Sequence, residues 1–280
     1  VCSSDLDVED DHCLELPPNE RNSARYRGRD GMLARLLPRC RYVTAASPGI
    51  AAAIAARYDV PTSLVQNVFP LSEREGLAPA PRTLGSPLRF YWYSQTVGLD
   101  RGLSELIRLL GLSRTRVTLT IRGDAEPHVA AKLSREAMDA QVTLRLEPLA
   151  APGEMTRLAA EHDIGVCFEL ADGNRGIAAA NKLYTYVLAG MPMLLSAMPA
   201  HIEFAEQLGT SANGMAGANA ALLVDPNDEN APRRLSEWLA QSDELAAASR
   251  RLWEIGTERL NWDVEKDKFL GIVSSALGSG

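Results

Sequence analysis

The chain has 280 residues, of which 46% are hydrophobic and 23% charged, which is the composition of a globular protein of one large or two small domains and excludes a disordered or fibrous one. Twenty-nine Lys plus Arg against 36 Asp plus Glu leave a net charge of -7, so no global positive field exists to gather nucleic acid or anionic lipid, and any bound anion must be held locally. Cys2, Cys13, Cys40 and Cys167 form neither a CxxC pair nor a disulfide framework, which points to a reducing cytoplasm. Even the apolar run Val187 to Met198 is broken by Gly190 and Pro192, so no transmembrane helix is expected. No signal peptide is expected either. The chain begins with Val rather than Met and leads abruptly into a motif-like segment, so sequence upstream is expected to be missing.

Residues 7 to 40 are polar, with a loop at Pro17-Pro18-Asn19 and a basic stretch from Arg21 to Arg39 that reads as a solvated helix face. Tyr42 to Ser47 is β-prone, Ser47-Pro48 signals a helix start, and Ile50 to Tyr58 is an Ala-rich helix. Ser63 to Val68 reads as a strand. Pro79, Pro81, Gly85 and Pro87 mark the stretch Leu71 to Pro87 as a linker.

Strands and helices then alternate. Strands are predicted at Arg89–Tyr93, Val117–Ile121, Val142–Leu146, Ile164–Phe168, Met193–Ser196 and Ala221–Val224. The intervening helices are Leu103–Leu110, Ala125–Met138, Pro152–Ala160, Ala178–Ala189, Ile202–Leu208 and Ala231–Ala240, and Asp243–Ile255 and Val264–Ala276 close the chain. Six such strands imply an α/β fold, a parallel sheet with helices on both faces. Ligands of such sheets sit beyond the carboxyl ends of the strands, which directs attention to the loops after Tyr93, Ile121, Leu146 and Phe168.

Three constellations could carry chemistry. The loop Ser94-Gln95-Thr96-Val97-Gly98-Leu99-Asp100-Arg101-Gly102 opens a helix, so its backbone N–H groups, the helix dipole and Arg101 suit a phosphate or diphosphate; the alternative is an ordinary βα turn with Arg101 in solvent. On the helix beginning near Asn181, helical spacing gathers Asn181, Lys182 and Thr185 on one face and Leu183, Tyr186, Val187 and Gly190 on another, which would turn the first set into a crevice and offer a second anion site. The alternative is a half-buried helix with a surface lysine. Asp7, Glu9, Asp10 and His12, with Glu15 beyond, are dense enough for a metal or acid/base site, or form a polar strand end with solvated carboxylates. No His-Glu-x-x-His pattern is present, and His128, His162 and His201 stand isolated, structural or exposed.

As a set these residues look familiar. Thr44-Ala45-Ala46-Ser47, Arg57-Tyr58-Asp59-Val60-Pro61 and Val65-Gln66-Asn67-Val68-Phe69-Pro70 resemble the end of the first domain of GT-B glycosyltransferases. Ser94 to Gly102, Ile121-Arg122-Gly123-Asp124, and Asn181 to Tyr186 with Ala189-Gly190-Met191-Pro192 resemble the second domain of the retaining family 4 group, over roughly residues 40 to 275 in order and spacing. Asn261-Trp262 and the helix after it resemble the segment that crosses back to the first domain.

The resemblance implies a Rossmann-like nucleotide-sugar domain at 88–240, a linker at 71–87, a remnant of an acceptor-side Rossmann-like domain at 1–70, and C-terminal helices at 241–280. It implies metal-independent, retaining transfer of a hexosyl group from a nucleotide-diphosphate sugar, with no cofactor, to a sugar, lipid-linked or other acceptor, in cytoplasmic synthesis of cell-envelope polysaccharide. Any peripheral membrane contact would belong to the missing first domain. Donor contacts would come from Gln95, Thr96, Gly98, Arg101, Gly102, Arg122, Asn181, Lys182 and Thr185, and catalytic groups from Glu9, Asp10 and His12.

The sequence also departs from the family pattern. Ser94-Gln95 stands where the family has Gly-Arg, Arg101-Gly102 where it has Lys-Gly, and Ile177 and Thr185 where it carries two glutamates. A hydroxyl lacks the strength and reach of a carboxylate toward a ribose. Two other readings follow: a nucleotide-sugar-binding module without turnover, and a nucleotide-sugar 2-epimerase on the same scaffold.

Overall fold

The computed structural model describes residues 5–78, 85–170, 173–209 and 220–278. In chain order the elements are β1 (Leu6–Val8), α1 (Ala24–Leu36), β2 (Val43–Ala45), α2 (Pro48–Tyr58), β3 (Ser63–Leu64), β4 (Leu88–Val97), α3 (Leu103–Leu112), β5 (Val117–Ala125), α4 (Pro127–Asp139), β6 (Thr143–Glu147), α5 (Met155–Ala160), β7 (Ile164–Cys167), α6 (Asn181–Leu188), β8 (Met193–Ser196), α7 (Pro199–Gln207), β9 (Ala221–Val224), α8 (Ala231–Leu239), α9 (Ser242–Glu258) and α10 (Trp262–Gly278). They fall into two compact units, one of residues 1–68, 171–180 and 262–280, the other of residues 69–170 and 181–261.

The first unit is built on a parallel sheet in the order β1-β2-β3. Val8, Val43 and Ala45 point to one face and pack with Leu33 and Leu37 from the α1 side and with Ile50 and Ile54 of α2. The basic stretch is a helix whose arginines stay outside this cluster, with Leu33 as its buried position. Ser47 caps α2 by accepting the Ile50 N–H at 3.2 Å, Pro48 opens the helix, and Asp59 closes it in the left-handed region. The segment 173–178 belongs to this unit: Asn174 donates to Asp10, and Ser47 Oγ donates to the Ile177 carbonyl at 2.7 Å. These anchors hold 177–180 out of the helix predicted to begin at Ala178, and α6 starts at Asn181. The predicted strand Ser63–Val68 shrinks to Ser63–Leu64, and past it the Gln66 N–H donates to buried Glu265 at 2.8 Å instead of to a strand.

The second unit carries a six-stranded, all-parallel sheet in the order β6-β5-β4-β7-β8-β9. Strand order reverses between β4 and β7, so the crossover helices leave on opposite faces and a crevice opens beyond the carboxyl ends of those two strands. Side-chain alternation along β4 serves both layers. Phe90 and Trp92 join the cluster formed with Leu103, Leu106 and Leu110 of α3, whereas Tyr91 stacks on His162 at 4.5 Å and Tyr93 meets Tyr186 edge-on at 6.1 Å. The buried Tyr186 hydroxyl lies within 3.0 Å of the Tyr91 carbonyl and 3.1 Å of the Val166 carbonyl, so burial leaves it satisfied. Gly165 is required beneath it, since a Cβ there would come within 2.5 Å of the Tyr186 ring. After Asn181 every side chain of α6 is buried, and Thr185, expected on the open polar face, is enclosed with the apolar set.

Candidate functional site

At the carboxyl end of β4 the polar residues Ser94, Gln95 and Thr96, predicted to be loop, continue the strand through a register shift against β5. Gly123 permits this. It has φ +150°, and a Cβ there would collide with the Ser94 carbonyl. A single helical turn, Leu99–Arg101, follows, and Gly102 at φ +68° turns the chain into α3, whose start no side chain caps. A Cβ on Gly102 would lie 3.5 Å from the Phe168 carbonyl and 3.6 Å from the Glu169 Cα, so this turn runs close against the loop after β7. That approach brings Arg101 beside Glu169. Gly98 is crowded by the Asp100 carboxylate.

Gln95, Thr96, Arg101, Arg122, Asn181 and Lys182 line one cavity of about 430 Å³. Its remaining wall is largely apolar, from Phe69, Tyr93, Leu149, Pro152 and Met155. Six of the nine residues expected to contact a donor thus come together. Gly98 and Gly102 shape the turn behind them. Thr185 does not reach the cavity: it is 0% exposed, and its hydroxyl meets that of Tyr93 at 2.8 Å.

The charges of the site are arranged around a residue that sequence reasoning passed over. Glu169 Oε1 accepts from Lys182 Nζ at 2.9 Å and lies 3.9 Å from an Arg101 nitrogen. Both members of the closer pair are buried, Lys182 at 8% and Glu169 at 6% exposure. Burial works to raise the Glu169 pKa, but Lys182 and Arg101 outweigh it and hold the carboxyl at about 2. Burial likewise opposes the ammonium of Lys182, yet Cys167 and Glu169 beside it leave its pKa above the ordinary lysine value. Arg122 is differently employed. It donates to the Tyr91 hydroxyl at 3.1 Å and to the Pro148 carbonyl at 2.7 Å, and so ties the loop after β6 to the sheet.

Beneath Glu169 lies a buried neutral network. Its backbone N–H donates to Ser196 Oγ at 3.1 Å, and His201 Nδ1 lies 2.9 Å from the Ser196 carbonyl and Nε2 3.2 Å from Cys167 Sγ. Donation from Nδ1 to the carbonyl leaves Nε2 to accept the thiol proton. Burial lowers His201 to about 4 and raises Cys167 to about 12, so the two are uncharged near neutrality and are not a thiolate–imidazolium pair.

In the first unit, Glu9, Asp10 and His12 have different surroundings. Glu9 lines a cavity of about 330 Å³ with Asp7, Tyr42, Trp262 and Phe269. Asp10 accepts from Asn174 Nδ2 at 2.6 Å, and exposed His12 pairs with Glu15 at 3.0 Å. Next to them Asp11 is wholly buried, pairs with Arg57 at 3.0 Å and accepts the N–H groups of Cys13 and Leu14. Ile177 packs against the apolar cluster of this unit. Among the described residues, no group of three or more His, Cys, Asp or Glu side chains is placed to hold a metal ion, and no helix is long and apolar enough to cross a membrane.

No protein-family model matches the chain, and no curated protein matches it. Solved structures do. HepE from Anabaena, in complex with UDP and glucose, superposes with a TM-score of 0.73 at 14% identity, covering 97% of this chain and 71% of its own. A glycosyltransferase from Rickettsia africae gives 0.69 at 11% identity, covering 95% and 69%. A UDP-forming α,α-trehalose-phosphate synthase from Burkholderia xenovorans gives 0.68 at 13% identity, covering 98% and 68%. At these identities the likeness fixes the architecture: the chain has an α/β fold of the GT-B type, with Rossmann-like parallel sheets.

Proposed function

We propose that the chain is a glycosyltransferase of the retaining, metal-independent kind, which takes a hexosyl group from a nucleoside-diphosphate sugar held in the cavity of the second unit. The observation that carries this reading is the convergence of Arg101, from the turn before α3, and Lys182, from the first turn of α6, at the switch point of a parallel sheet. Breaking the glycosidic bond of such a donor leaves both bonding electrons on the diphosphate, so the developing charge falls where two fixed cations already stand. They need no reorganisation to meet it. Gln95, Thr96 and Asn181 supply neutral hydrogen-bonding groups on the same wall, and the apolar side formed by Phe69, Leu149 and Met155 suits a base ring. The acceptor is a sugar, a lipid-linked molecule or another acceptor, with Glu9, Asp10 and His12 as its acid/base groups. UDP leads the candidate donor nucleotides because UDP is the nucleotide bound in the Anabaena structure.

The test is calorimetry with UDP and GDP, followed by product analysis with labelled nucleotide sugars. Transfer to an added acceptor supports the reading. A 2-epimerised donor points to an epimerase, and failure of both nucleotides to bind removes the reading altogether. A second reading, donor binding without turnover, is favoured by Ile177 in an apolar cluster and Thr185 bonded to Tyr93, where the family carries glutamates. Saturable UDP binding with no product over long incubation would select it.

A further inference from the structure

Lys182 and Arg101 bear like charges and approach a single carboxylate oxygen, Glu169 Oε1, at 2.9 and 3.9 Å. Lys182 is buried, with its Nζ 5.5 Å from the Trp92 ring, where an ammonium has little water to solvate it. A lone buried lysine sheds its proton, and two unscreened cations at this spacing repel. Glu169 is itself fixed from below by the bond from its N–H to Ser196 Oγ, and Ser196 is fixed by His201. No other acidic side chain has an ion pair with Lys182 or Arg101 among the described residues.

We propose that Glu169 is a positioning residue of the donor site: through one oxygen it keeps Lys182 charged and holds Lys182 and Arg101 side by side for the diphosphate, while Ser196 and His201 fix its own place. The diphosphate part of this proposal rests on the glycosyltransferase reading above. The ionisable groups around the pair are Arg101 from the turn before α3, Cys167 at the end of β7 and His201 of α7. Cys167 and His201 are neutral near pH 7, which among the described residues leaves Glu169 as the counter-charge of both cations.

The sequence contains four lysines, Lys132, Lys182, Lys266 and Lys268, so 13C labelling at lysine Cε gives four resonances, and Lys182→Met identifies that of Lys182. In the parent chain Lys182 should titrate above the other three. In Glu169→Gln its midpoint should fall below theirs by at least about one pH unit, a tenfold change in proton affinity. A Lys182 midpoint that stays with the other lysines overturns the proposal. Should Glu169→Gln fail to fold, Glu169→Asp keeps the charge on a shorter arm. It should preserve the high midpoint while weakening UDP or GDP binding severalfold, and undiminished binding would overturn the positioning role.

Calorimetry with UDP and GDP at pH 7 and pH 9 then separates the two readings. Affinity should be nearly the same at both pH values for the parent chain, and for Glu169→Gln should fall toward pH 9 in proportion to the Lys182 that has lost its proton, about tenfold for a midpoint of about 8. A pH-independent affinity in that variant counts against the proposal. If the parent chain binds neither nucleotide, the glycosyltransferase reading fails, and the lysine titration alone decides whether Glu169 keeps Lys182 charged.

Discussion

The Tyr93 hydroxyl meets the Thr185 hydroxyl at 2.8 Å, joining the middle of β4 to the middle of α6 where no water reaches Thr185. Burial raises the Tyr93 pKa, with Thr185 as the partner that opposes the rise. The two hydroxyls satisfy each other, so Thr185 contributes to the cavity only by holding Tyr93 in its wall. Thr185→Val should therefore cost about 1–3 kcal/mol by leaving the Tyr93 hydroxyl unpaired, whereas adding Tyr93→Phe should recover most of that loss. Urea unfolding of both single variants and the double variant checks this. Additive losses would mean that the hydroxyls are not coupled.

Neighbouring positions on α6 should separate binding from stability. Lys182 faces the cavity and Leu183, 0% exposed, faces the core. Lys182→Ala should weaken UDP or GDP binding by about 1.5–3 kcal/mol, the scale of a charge-assisted hydrogen bond. Leu183→Ala should instead cost about 2–5 kcal/mol of stability through a cavity in the core. Calorimetry and chemical denaturation on the same two proteins check the division. A Leu183 variant that loses affinity but no stability would contradict it.

Gly102 tests the geometry of the turn. Its φ of +68° is strained for any residue with a Cβ, although ordinary van der Waals space is open there, with Phe168 Cδ1 at 3.4 Å. Gly102→Ala should cost about 1–2 kcal/mol of stability through the backbone alone. If the turn relaxes toward negative φ, Arg101 moves away from Glu169 and nucleotide affinity falls with it. Unchanged stability would show that this turn is not held at positive φ.

The sheet of the second unit was legible because each strand of a buried parallel sheet is a short apolar run and each crossover helix an amphipathic one. Boundaries failed where tertiary contacts decided them. Ser94 to Thr96 are too polar to signal a strand, yet they pair with β5 because Gly123 lets the chains approach. Ala178 to Ala180 favour a helix in composition but follow the anchors at Asn174 and Ile177. Arg101 and Lys182 could be read because they sit in motifs with recognisable spacing. Glu169 could not, since it lies 68 residues from Arg101 and 13 from Lys182, and only the folded sheet brings the three together. A lone carboxylate just beyond an apolar strand was the one signal available. Asp11 was similarly hidden among more conspicuous acidic neighbours, and only its burial beside Arg57 distinguishes it.

Acid should destabilise the second unit in two stages, each with its own residue. His201 is held neutral by burial, with its pKa at about 4, while the same side chain in the unfolded chain takes a proton near its ordinary 6.5. As pH falls from about 6.5 to about 4 the unfolded state therefore binds a proton that the folded state refuses, and stability declines by about 3 kcal/mol from this group. Glu169, at about 2 in the folded chain, sets the second stage. Its contribution is fully present above the unfolded carboxyl value of about 4.3 and is lost as pH drops toward 2, again about 3 kcal/mol. His201→Gln keeps hydrogen-bonding capacity but cannot titrate, so it should flatten the slope between pH 6.5 and 4 and leave the lower stage in place. Urea unfolding at intervals of half a pH unit, followed by tryptophan fluorescence in a Trp262→Phe background so that Trp92, Trp238 and Trp253 report the second unit, measures both slopes. An unchanged slope between pH 6.5 and 4 in His201→Gln would assign that stage to another group.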